Sequence, residues 1–459
     1  MRRDDRATAP ASFLTLGLPA SLLALLTACG SQTDPSQTSE RGPHDGAAAP
    51  GYTSHSDGRG WAVSEEGLFG HRRVLEATST STQGIGYAQG SEAAPPLTGV
   101  LVRIDDRVSP GLNLMNSGDA AEAVLMSSKG SVEHRWALPY DQIPGAPPLH
   151  TSFQIPWRRI HLLDDGSLQA IHSDAALVHV DVDSKLRWVS YGRFHHDLDL
   201  VEEPGGPVTY ALSRTERVVE AVNPDEAILD DLVVRINAHG EETLRVSLWD
   251  AFIASEWAPM LKLLTHPTGD VMHANTLTIL SEAEAAMFKD PSIRAGAALV
   301  CMRDLDLVTV VDLGEEKLVW MTGGPATSNW RGLHDPTLTA KGEVMVFDNL
   351  GGPSGHSRLL KVPLEVVPGT LPTSPRPSWS WSGSPAESFS SQFCGTVDEL
   401  PNGHILATES CHGRVIELDP ATGEIVWEYV SERVAGENNE LVAALFEVRR
   451  IQRPLWLDR

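Results

Sequence analysis

One local pattern recurs six times along the 459-residue chain and limits the folds that it can adopt. Each copy has a short run of alternating apolar residues, a polar or glycine-containing turn, and a second run that ends in tryptophan. Alternation with a period of two predicts β-strands, because successive side chains of a strand point to opposite faces. A further turn and strand precede most copies, which gives about four strands per repeat. The repeat tryptophans, 46 to 71 residues apart, are Trp136, Trp188, Trp249, Trp320, Trp381 and Trp427.

This period predicts an all-β fold, a six-bladed β-propeller that occupies residues 99–459. A β-helix would need a much shorter period, and a β-sandwich of this length would need two domains, for which we see no linker after residue 98. Helical patterns are scarce, and we expect only short helices at 281–288 and 439–446. Propellers bind ligands on loops at the mouth of the central channel, so polar clusters at strand ends are candidates for function.

The first residues have the composition of an export segment. A basic start is followed by an apolar stretch that ends in Leu26-Thr27-Ala28-Cys29, which is typical of a lipoprotein signal. We therefore predict a signal peptide at 1–28, lipidation of Cys29 and a location in the cell envelope, in the periplasm or at the outer membrane. The lipid would be the chain's only membrane contact, and a plain secretory signal or a chance cysteine is the alternative. Residues 29–60 read as a flexible tether and 61–98 as an N-terminal extension.

Two other cysteines, Cys394 and Cys411, flank the turn signal Asn402-Gly403. If that dipeptide is a two-residue hairpin turn, the two cysteines face each other where antiparallel strands approach most closely. The sequence therefore suggests a disulfide, which an oxidising compartment would favour. Two free buried thiols are the alternative, because a bulge would change the register.

The formal net charge of −25 argues against binding to nucleic acid, because a phosphate backbone requires a basic surface. An anionic small molecule would need a local positive pocket in a chain of this charge. The chain also lacks the glycine-rich loop with a following lysine that binds nucleotide phosphates. We therefore predict no nucleotide donor and no cofactor.

Four polar clusters occupy a similar phase of their repeats. Because equivalent phases of propeller blades point toward one axis, we expect histidines from three blades to converge with an arginine on one pocket. A single histidine in such a chain is more often structural, and it is the shared phase that indicates a site. The clusters are Phe194-His195-His196-Asp197, His273-Ala274-Asn275 with Arg303 after the next strand, Leu333-His334-Asp335, and residues 391–396.

The order of these clusters resembles that of the bacterial arylsulfate sulfotransferases, from about residue 100 to the end of the chain. The stretch 194–197 resembles the first histidine motif of that family, and His273-x-Asn275 resembles its His-x-Asn motif. Arg303 falls where the family has the arginine of Ser-Ser-Arg, here Cys301-Met302-Arg303. His334 resembles the histidine that becomes transiently sulfated. Asp348-Asn349 and Ser357-Arg358 resemble two further motifs, with Leu350 inserted after the first.

The resemblance implies transfer of a sulfuryl group from an aryl sulfate to a phenol, two small molecules, through a sulfohistidine. A neutral imidazole at His334 can attack sulfur, while Arg303 and Asn275 stabilise charge on the sulfuryl oxygens. His273 and His196 are suited to bind those oxygens or to protonate the departing phenolate. Which of His195 and His196 faces the site stays open.

Two alternatives remain at this point. Three imidazoles are a common zinc set, although a cation such as Arg303 would be repelled by the metal, so we predict no metal site. A surface propeller that binds a partner or a glycan and catalyses nothing is the other possibility, because propellers are frequent binding scaffolds.

Overall fold

A computed structural model of the chain describes residues 90, 92–149, 155–220, 224–264, 269–324, 330–364, 376–384 and 387–458. The signal peptide, Cys29, the tether and most of the extension predicted from the sequence lie outside this range. Within it, no helix has the length and apolar character that a membrane-spanning helix requires.

The described chain is built almost entirely of short antiparallel strands. In chain order they are β1 (Gly99–Arg103), β2 (Leu112–Ser117), β3 (Glu122–Ser127), β4 (Val132–Ala137), β5 (Trp157–Leu162), β6 (Leu168–His172), β7 (Ala176–Val180), β8 (Leu186–Tyr191), β9 (Phe194–Val201), β10 (Val208–Val218), β11 (Ala227–Ile236), β12 (Glu242–Ser247), β13 (Gly269–Asp270), β14 (Ala274–Ile279), β15 (Ala298–Met302), β16 (Leu307–Asp312), β17 (Lys317–Gly323), β18 (His334–Leu338), β19 (Glu343–Asp348), β20 (Arg358–Pro363), β21 (Trp379–Trp381), β22 (Gly383–Ser384), β23 (Glu387–Ser388), β24 (Thr396–Glu399), β25 (Ile405–Glu409), β26 (Arg414–Leu418), β27 (Ile425–Val430), β28 (Val434–Ala435), β29 (Leu441–Val442) and β30 (Leu445–Ile451).

Six sheets form the blades of a six-bladed β-propeller, as the repeats predicted. Blade 1 is β5–β8, blade 2 is β9–β12 with β13 added in parallel to β11, blade 3 is β14–β17, and blade 4 is β18–β21. Blade 5 is β24–β27 with β1 on its outer edge, and blade 6 is β30 followed by β2–β4. The first strand of each blade is the inner one, and these inner strands contact one another around the central channel. Two small hairpins, β22–β23 and β28–β29, lie outside the blades.

Blade 6 closes the ring with strands from both ends of the described chain. The C-terminal β30 pairs with β2 along its whole length, for example Met115 with Val448. Closing the ring in this way leaves few unpaired sheet edges, which would otherwise recruit other chains. Residues 92–94 of the extension add to the adjacent hairpin, because Ala94 donates to the carbonyl of Glu440 at 2.9 Å and Glu92 accepts from Val442 at 3.0 Å.

Carboxylates join neighbouring blades at the channel. The free edge of an inner strand presents backbone N–H groups that need acceptors. An acidic side chain on the inner strand of one blade accepts from such a group on the next blade in four places. The pairs are Asp197 with Leu277 at 2.8 Å, Asp199 with Ile279 at 2.7 Å, Asp335 with Val397 at 2.7 Å, and Glu447 with Ile160 at 3.0 Å.

Five of the six repeat tryptophans lie in a strand late in their repeat, as predicted, and these strands, β4, β8, β17, β21 and β27, are on the outer part of their blades. Trp136, Trp320 and Trp427 are buried, whereas Trp188 and Trp381 are partly exposed. The prediction of a strand that ends in Trp249 was wrong. Strand β12 ends at Ser247, and this residue is the N-cap of helix α1 (Leu248–Ile253), which contains Trp249. The Ser247 hydroxyl accepts from the backbone N–H of Asp250, which is the hydrogen bond of a helix N-cap.

The helix predicted at 281–288 is confirmed as α2 (Glu282–Met287), with Ser281 and Glu284 forming a capping box. The helix predicted at 439–446 was wrong, because this segment forms β29 and the start of β30 and pairs within blade 6 and its adjacent hairpin. Short 3₁₀ turns lie at Tyr140–Gln142, Ala258–Leu263, Arg303–Leu305, Pro353–Gly355, Ser410–His412 and Leu455–Asp458.

The register predicted for the cysteine hairpin was wrong by one residue. The turn contains three residues, 401–403, because Leu400 and His404 are joined by a backbone hydrogen bond of 2.8 Å. The first strand pair is therefore Glu399 with Ile405, and the positions of Cys394 and Cys411 no longer oppose each other. The disulfide is not formed: Cys394 precedes β24, and Cys411 lies in a 3₁₀ turn.

Candidate functional site

The start of the inner strand is irregular in four consecutive blades. Blades 1 to 4 each have a β-bulge there. Positive φ angles of 52° to 56° occur at His196, His273 and Asp335 of blades 2 to 4, and at Cys394, which precedes the inner strand of blade 5. A non-glycine residue adopts this conformation at an energetic cost, and bulges near the start of a strand redirect its side chains. The polar clusters of blades 2 to 4 are thereby gathered at one end of the channel.

His334, the first residue of β18, is held by its Nδ1 atom. This nitrogen lies 2.7 Å from Asn349 Oδ1 and 2.9 Å from the carbonyl oxygen of Gly332. Asn349 is oriented by its own amide nitrogen, which donates to the carbonyls of Ser391 and Cys394. Because Nδ1 faces two acceptors, it carries the proton, and the lone pair of the neutral ring is on Nε2.

The environment keeps this ring neutral. Burial lowers the pKa of His334 to about 3, and the positive charges of Arg303 and Arg158 act in the same direction. The hydrogen bonds to Asn349 and Gly332 favour the charged form but do not outweigh burial. His334 is 5% exposed. It is therefore a neutral imidazole with a fixed tautomer throughout the physiological range.

Arg303 follows β15 in a 3₁₀ turn and is buried beside His334. Its backbone N–H donates to the carbonyl of His273 at 3.1 Å, which ties the arginine to the first histidine of its blade. Its guanidinium forms an ion pair with Asp304. The carboxylate therefore offsets part of the charge that the sequence assigned to Arg303 as an anion-binding group.

His196 is the histidine of its pair that contacts the neighbouring blade. Its ring centroid lies 4.8 Å from that of His273, whereas the buried His195 contacts Asp231 through Nε2 at 3.3 Å. The Nδ1 atoms of His195 and His196 are 2.8 Å apart, so one donates to the other. Burial lowers the pKa of His196 well below its usual value, and the charge of Arg158 is the next contribution.

His273 is oriented by an acidic partner from its own loop. Asp270 Oδ2 lies 2.8 Å from Nδ1 of the ring, and the same carboxylate accepts from the backbone N–H of His273 at 3.1 Å. Burial opposes ionisation of Asp270, but the charges of His273 and Arg214 outweigh it and lower the pKa of this carboxyl group. The Nδ1–H bond to a carboxylate leaves Nε2 as the free position of the ring.

Asn275, on β14, lies between blades 3 and 4. Its amide nitrogen donates to the carbonyl of Leu333 at 2.7 Å, and its oxygen accepts from the Thr276 hydroxyl at 3.0 Å. Thr276 in turn accepts from the backbone N–H of Asp335 at 3.0 Å. Asn275 therefore fixes the residue that precedes His334 and retains one amide proton for another acceptor.

The family model for arylsulfotransferase (ASST) matches residues 159–432, more than half of the chain. The chain belongs to the arylsulfotransferase family. No curated protein matches it.

Several solved structures resemble this arylsulfotransferase-family chain at low identity. A protein of unknown function from Bacteroides caccae is 12% identical, with a TM-score of 0.43 over 71% of this chain and 95% of its own. A streptogramin B lyase is 9% identical, with a TM-score of 0.40 over 79% and 97%. A catalytically inactive virginiamycin B lyase from Staphylococcus aureus, bound to quinupristin, is 8% identical, with a TM-score of 0.37 over 74% and 88%.

A narrow pocket of this arylsulfotransferase-family protein contains two of the predicted residues, Asn275 and His334. Arg303 acts on His334 through its charge, and His196 and His273 form a contiguous pair. Thr396, in the predicted cluster at 391–396, also lines the pocket, whereas Gln392 of the same cluster is exposed. We call His196, His273, Asn275, Arg303 and His334 the histidine site. In the described part of the chain, no three His, Cys, Asp or Glu side chains are grouped as a metal ion requires.

Four residues that line the pocket were not predicted from the sequence: Arg158, Arg159, Thr276 and Phe446. Arg158, on β5, comes from blade 1, and Phe446, on β30, comes from blade 6. The signal for Arg158 was present as a basic residue at the start of an inner strand in an acidic chain. It was not recognised because blade 1 has no histidine cluster at that phase.

Proposed function

We propose that the protein transfers a sulfuryl group from an aryl sulfate to a phenolic acceptor through a sulfohistidine at His334. The observation that carries this proposal is the fixed, neutral imidazole, with Nδ1–H held by Asn349 and Gly332 and the lone pair on Nε2. Such a nitrogen is a competent nucleophile near pH 7. Membership of the arylsulfotransferase family supports the reaction class.

In the first half-reaction, the Nε2 lone pair of His334 attacks sulfur, an N–S bond forms, and the S–O bond to the aryl group breaks. The electron pair of that bond leaves on the phenolate oxygen. Charge also develops on the sulfuryl oxygens, and preorganised donors stabilise it best in a site that excludes water. Arg303 and the remaining amide proton of Asn275 are the predicted donors for this charge.

The departing phenolate needs a proton, since a phenol has a pKa of about 10. His273 is suited to this role, because Asp270 Oδ2 lies 2.8 Å from Nδ1 and orients the ring, which leaves Nε2 free to face the departing oxygen. His196 lies in ring contact with His273 and can bind the same oxygen. In the second half-reaction the acceptor phenol gives its proton to His273, which became neutral in the first. The phenol oxygen attacks sulfur, and the N–S bond to His334 breaks.

The test uses 4-nitrophenyl sulfate as donor and phenol as acceptor. We expect nitrophenolate release that depends on phenol, formation of phenyl sulfate, and a mass increase of one sulfuryl group on the peptide that contains His334 when the acceptor is omitted. Labelling at another residue would reject His334 as the nucleophile. Donor binding without turnover, across a panel of donors and acceptors, would favour the non-catalytic binding propeller instead.

We also propose that Cys29 carries a lipid and anchors the protein in the cell envelope, on the basis of the Leu26-Thr27-Ala28-Cys29 motif. In cells fed a clickable fatty acid, the wild-type protein should be labelled and the Cys29→Ser variant should not. Equal labelling of both would reject the anchor.

A further inference from the structure

Arg158 differs from the other arginines at the channel in its partners. Its Nη2 donates to the Cys394 sulfur at 3.3 Å, and its guanidinium carbon lies 4.7 Å from the centre of the Phe446 ring. Among the residues that the structure describes, no carboxylate forms an ion pair with it. Its sequence neighbour Arg159 has three, from Asp197, Asp335 and Glu447, at 2.6 to 3.4 Å.

This partner set leaves a positive charge uncompensated inside a strongly acidic protein. Arg158 is only partly exposed, so water does not fully solvate its guanidinium. The thiol of Cys394 is a weak acceptor, and the Phe446 ring supports the flat face of the guanidinium through a cation–π contact. A guanidinium held by its face presents its N–H edge, the geometry that binds sulfate-like oxygens in pairs.

The position of Arg158 connects it to the reacting group. It lines the same pocket as His334 and Asn275. Its charge also contributes to the lowered pKa values of His196 on blade 2 and His334 on blade 4. Arg303, on the other hand, is already ion-paired with Asp304.

We propose that Arg158 is a substrate-binding residue that supplies the positive charge for the sulfate group of the donor. This inference rests on the proposed function. An aryl sulfate carries one negative charge, and His334 is neutral when the donor binds. The guanidinium of Arg158 offsets that charge in the ground state, while the Arg303–Asp304 pair adds little net charge. The donor class is therefore a monoanionic aryl sulfate, and an aryl sulfonate should bind through the same charge without being transferred.

The experiment measures binding and turnover separately. Binding is measured by calorimetry with 4-nitrobenzenesulfonate, whose sulfur is bonded to carbon, so that its SO3 group cannot be transferred. The constants kcat and KM are measured with 4-nitrophenyl sulfate. Arg158→Gln should weaken sulfonate binding and raise KM by about tenfold to a hundredfold, as expected for a charge-assisted hydrogen bond. Arg158→Lys should recover part of the affinity, because it keeps the charge but not the paired N–H edge.

The matched control is Arg187→Gln, an exposed arginine of the same blade that pairs with Asp165 at 2.8 Å. Arg187→Gln should leave the affinity for the sulfonate and the KM for the sulfate unchanged. Thermal unfolding of every variant separates a binding defect from loss of structure; if Arg158→Gln is destabilised, the comparison rests on Arg158→Lys. Wild-type affinity for the sulfonate in a folded Arg158→Gln variant would overturn the proposal, as would a wild-type protein that binds no sulfonate. Arg158-dependent binding without any turnover would reject the proposed reaction and leave this inference standing.

Discussion

Two adjacent regions of the channel differ in how many charges they contain and how these charges are compensated. The histidine site contains neutral or locally paired groups, with the uncompensated Arg158 beside it. One residue further along the same strands lies an ionic layer, formed by Arg159, Asp197, Asp335, Asp398, Glu447 and Arg449. His196 precedes Asp197, His334 precedes Asp335, and Arg158 precedes Arg159. Each of these inner strands contributes one residue to each region.

The difference shows what burial requires of a charge. In the ionic layer, burial raises the pKa of Asp197, whereas the charges of Arg449 and Arg159 outweigh burial and lower that of Asp335. Each charge there has an opposite partner, and Asp197, Asp335 and Glu447 also accept from backbone N–H groups of the next blade. The layer therefore joins blades 1, 2, 4, 5 and 6. In the histidine site His334 is neutral and Arg303 is paired with Asp304, while the neighbouring Arg158 has no carboxylate partner among the described residues. This arrangement is suited to an arriving anion.

The largest expected effect separates the two regions by activity. His334→Gln keeps a polar side chain of similar reach but removes the nucleophilic nitrogen, so kcat should fall by about ten-thousandfold. The free energy of unfolding should change little, because the ionic layer is intact. Steady-state kinetics and denaturant unfolding measure the two quantities. Retention of more than a tenth of the activity would exclude His334 as the nucleophile.

The next effect is on stability. Arg159→Gln removes the cation shared by Asp197, Asp335 and Glu447 and should lower the free energy of unfolding by about 3–5 kcal/mol, because it leaves buried carboxylates without their partner. The control is Arg135→Gln, which breaks an exposed pair with Glu122 and should change stability very little. Equal effects of the two substitutions would show that the ionic layer contributes no more than a surface pair.

A third test uses pH. The folded-state pKa of His334, about 3, lies below the unfolded value of about 6.5, so between these values the unfolded chain binds the extra proton. This contribution to stability is complete above pH 6.5 and is lost as the pH falls toward 3. Burial lowers the pKa values of His172 and His179 to about 4 and adds the same trend. His334→Gln should therefore reduce the slope of the free energy of unfolding against pH by about 1.4 kcal/mol per pH unit between pH 4 and 6. This is the slope that one titrating proton gives. Parallel curves for the two proteins would contradict a buried neutral His334.

The fold and part of the site could be predicted because both depend on repetition. Alternating strands that end in tryptophan identified six blades, and equal repeat phase brought His196, His273 and His334 to the same end of the channel. Trp249 was assigned wrongly because the cap at Ser247 starts a helix where the other copies continue a strand. The cysteine register failed because the turn at 401–403 contains one residue more than a two-residue turn.

The charges could not be read from the sequence in the same way. Arg158 and Arg159 are identical neighbours, and only the folded chain shows that the second meets carboxylates from three other blades. The role of Arg303 depends in the same way on Asp304, a sequence neighbour whose side chain could have pointed elsewhere. Compensation of a charge is a property of tertiary contacts, and no periodic pattern encodes it.

The smallest expected effect concerns the residue that orients the nucleophile. Asn349→Asp keeps an acceptor for Nδ1 of His334 but adds a negative charge beside the ring and loses the donors to Ser391 and Cys394. The charge should raise the pKa of His334, so the acid limb of kcat/KM should move toward neutral pH, and activity at pH 7 should fall by about tenfold. Ser357→Ala, which removes a hydroxyl bonded to the carbonyls of Asn349 and Ser391, is the structural control and should leave the acid limb in place. An unmoved acid limb in Asn349→Asp would mean that the imidazole is not held through this amide, and the comparison between a neutral histidine site and a charged ionic layer would lose its main support.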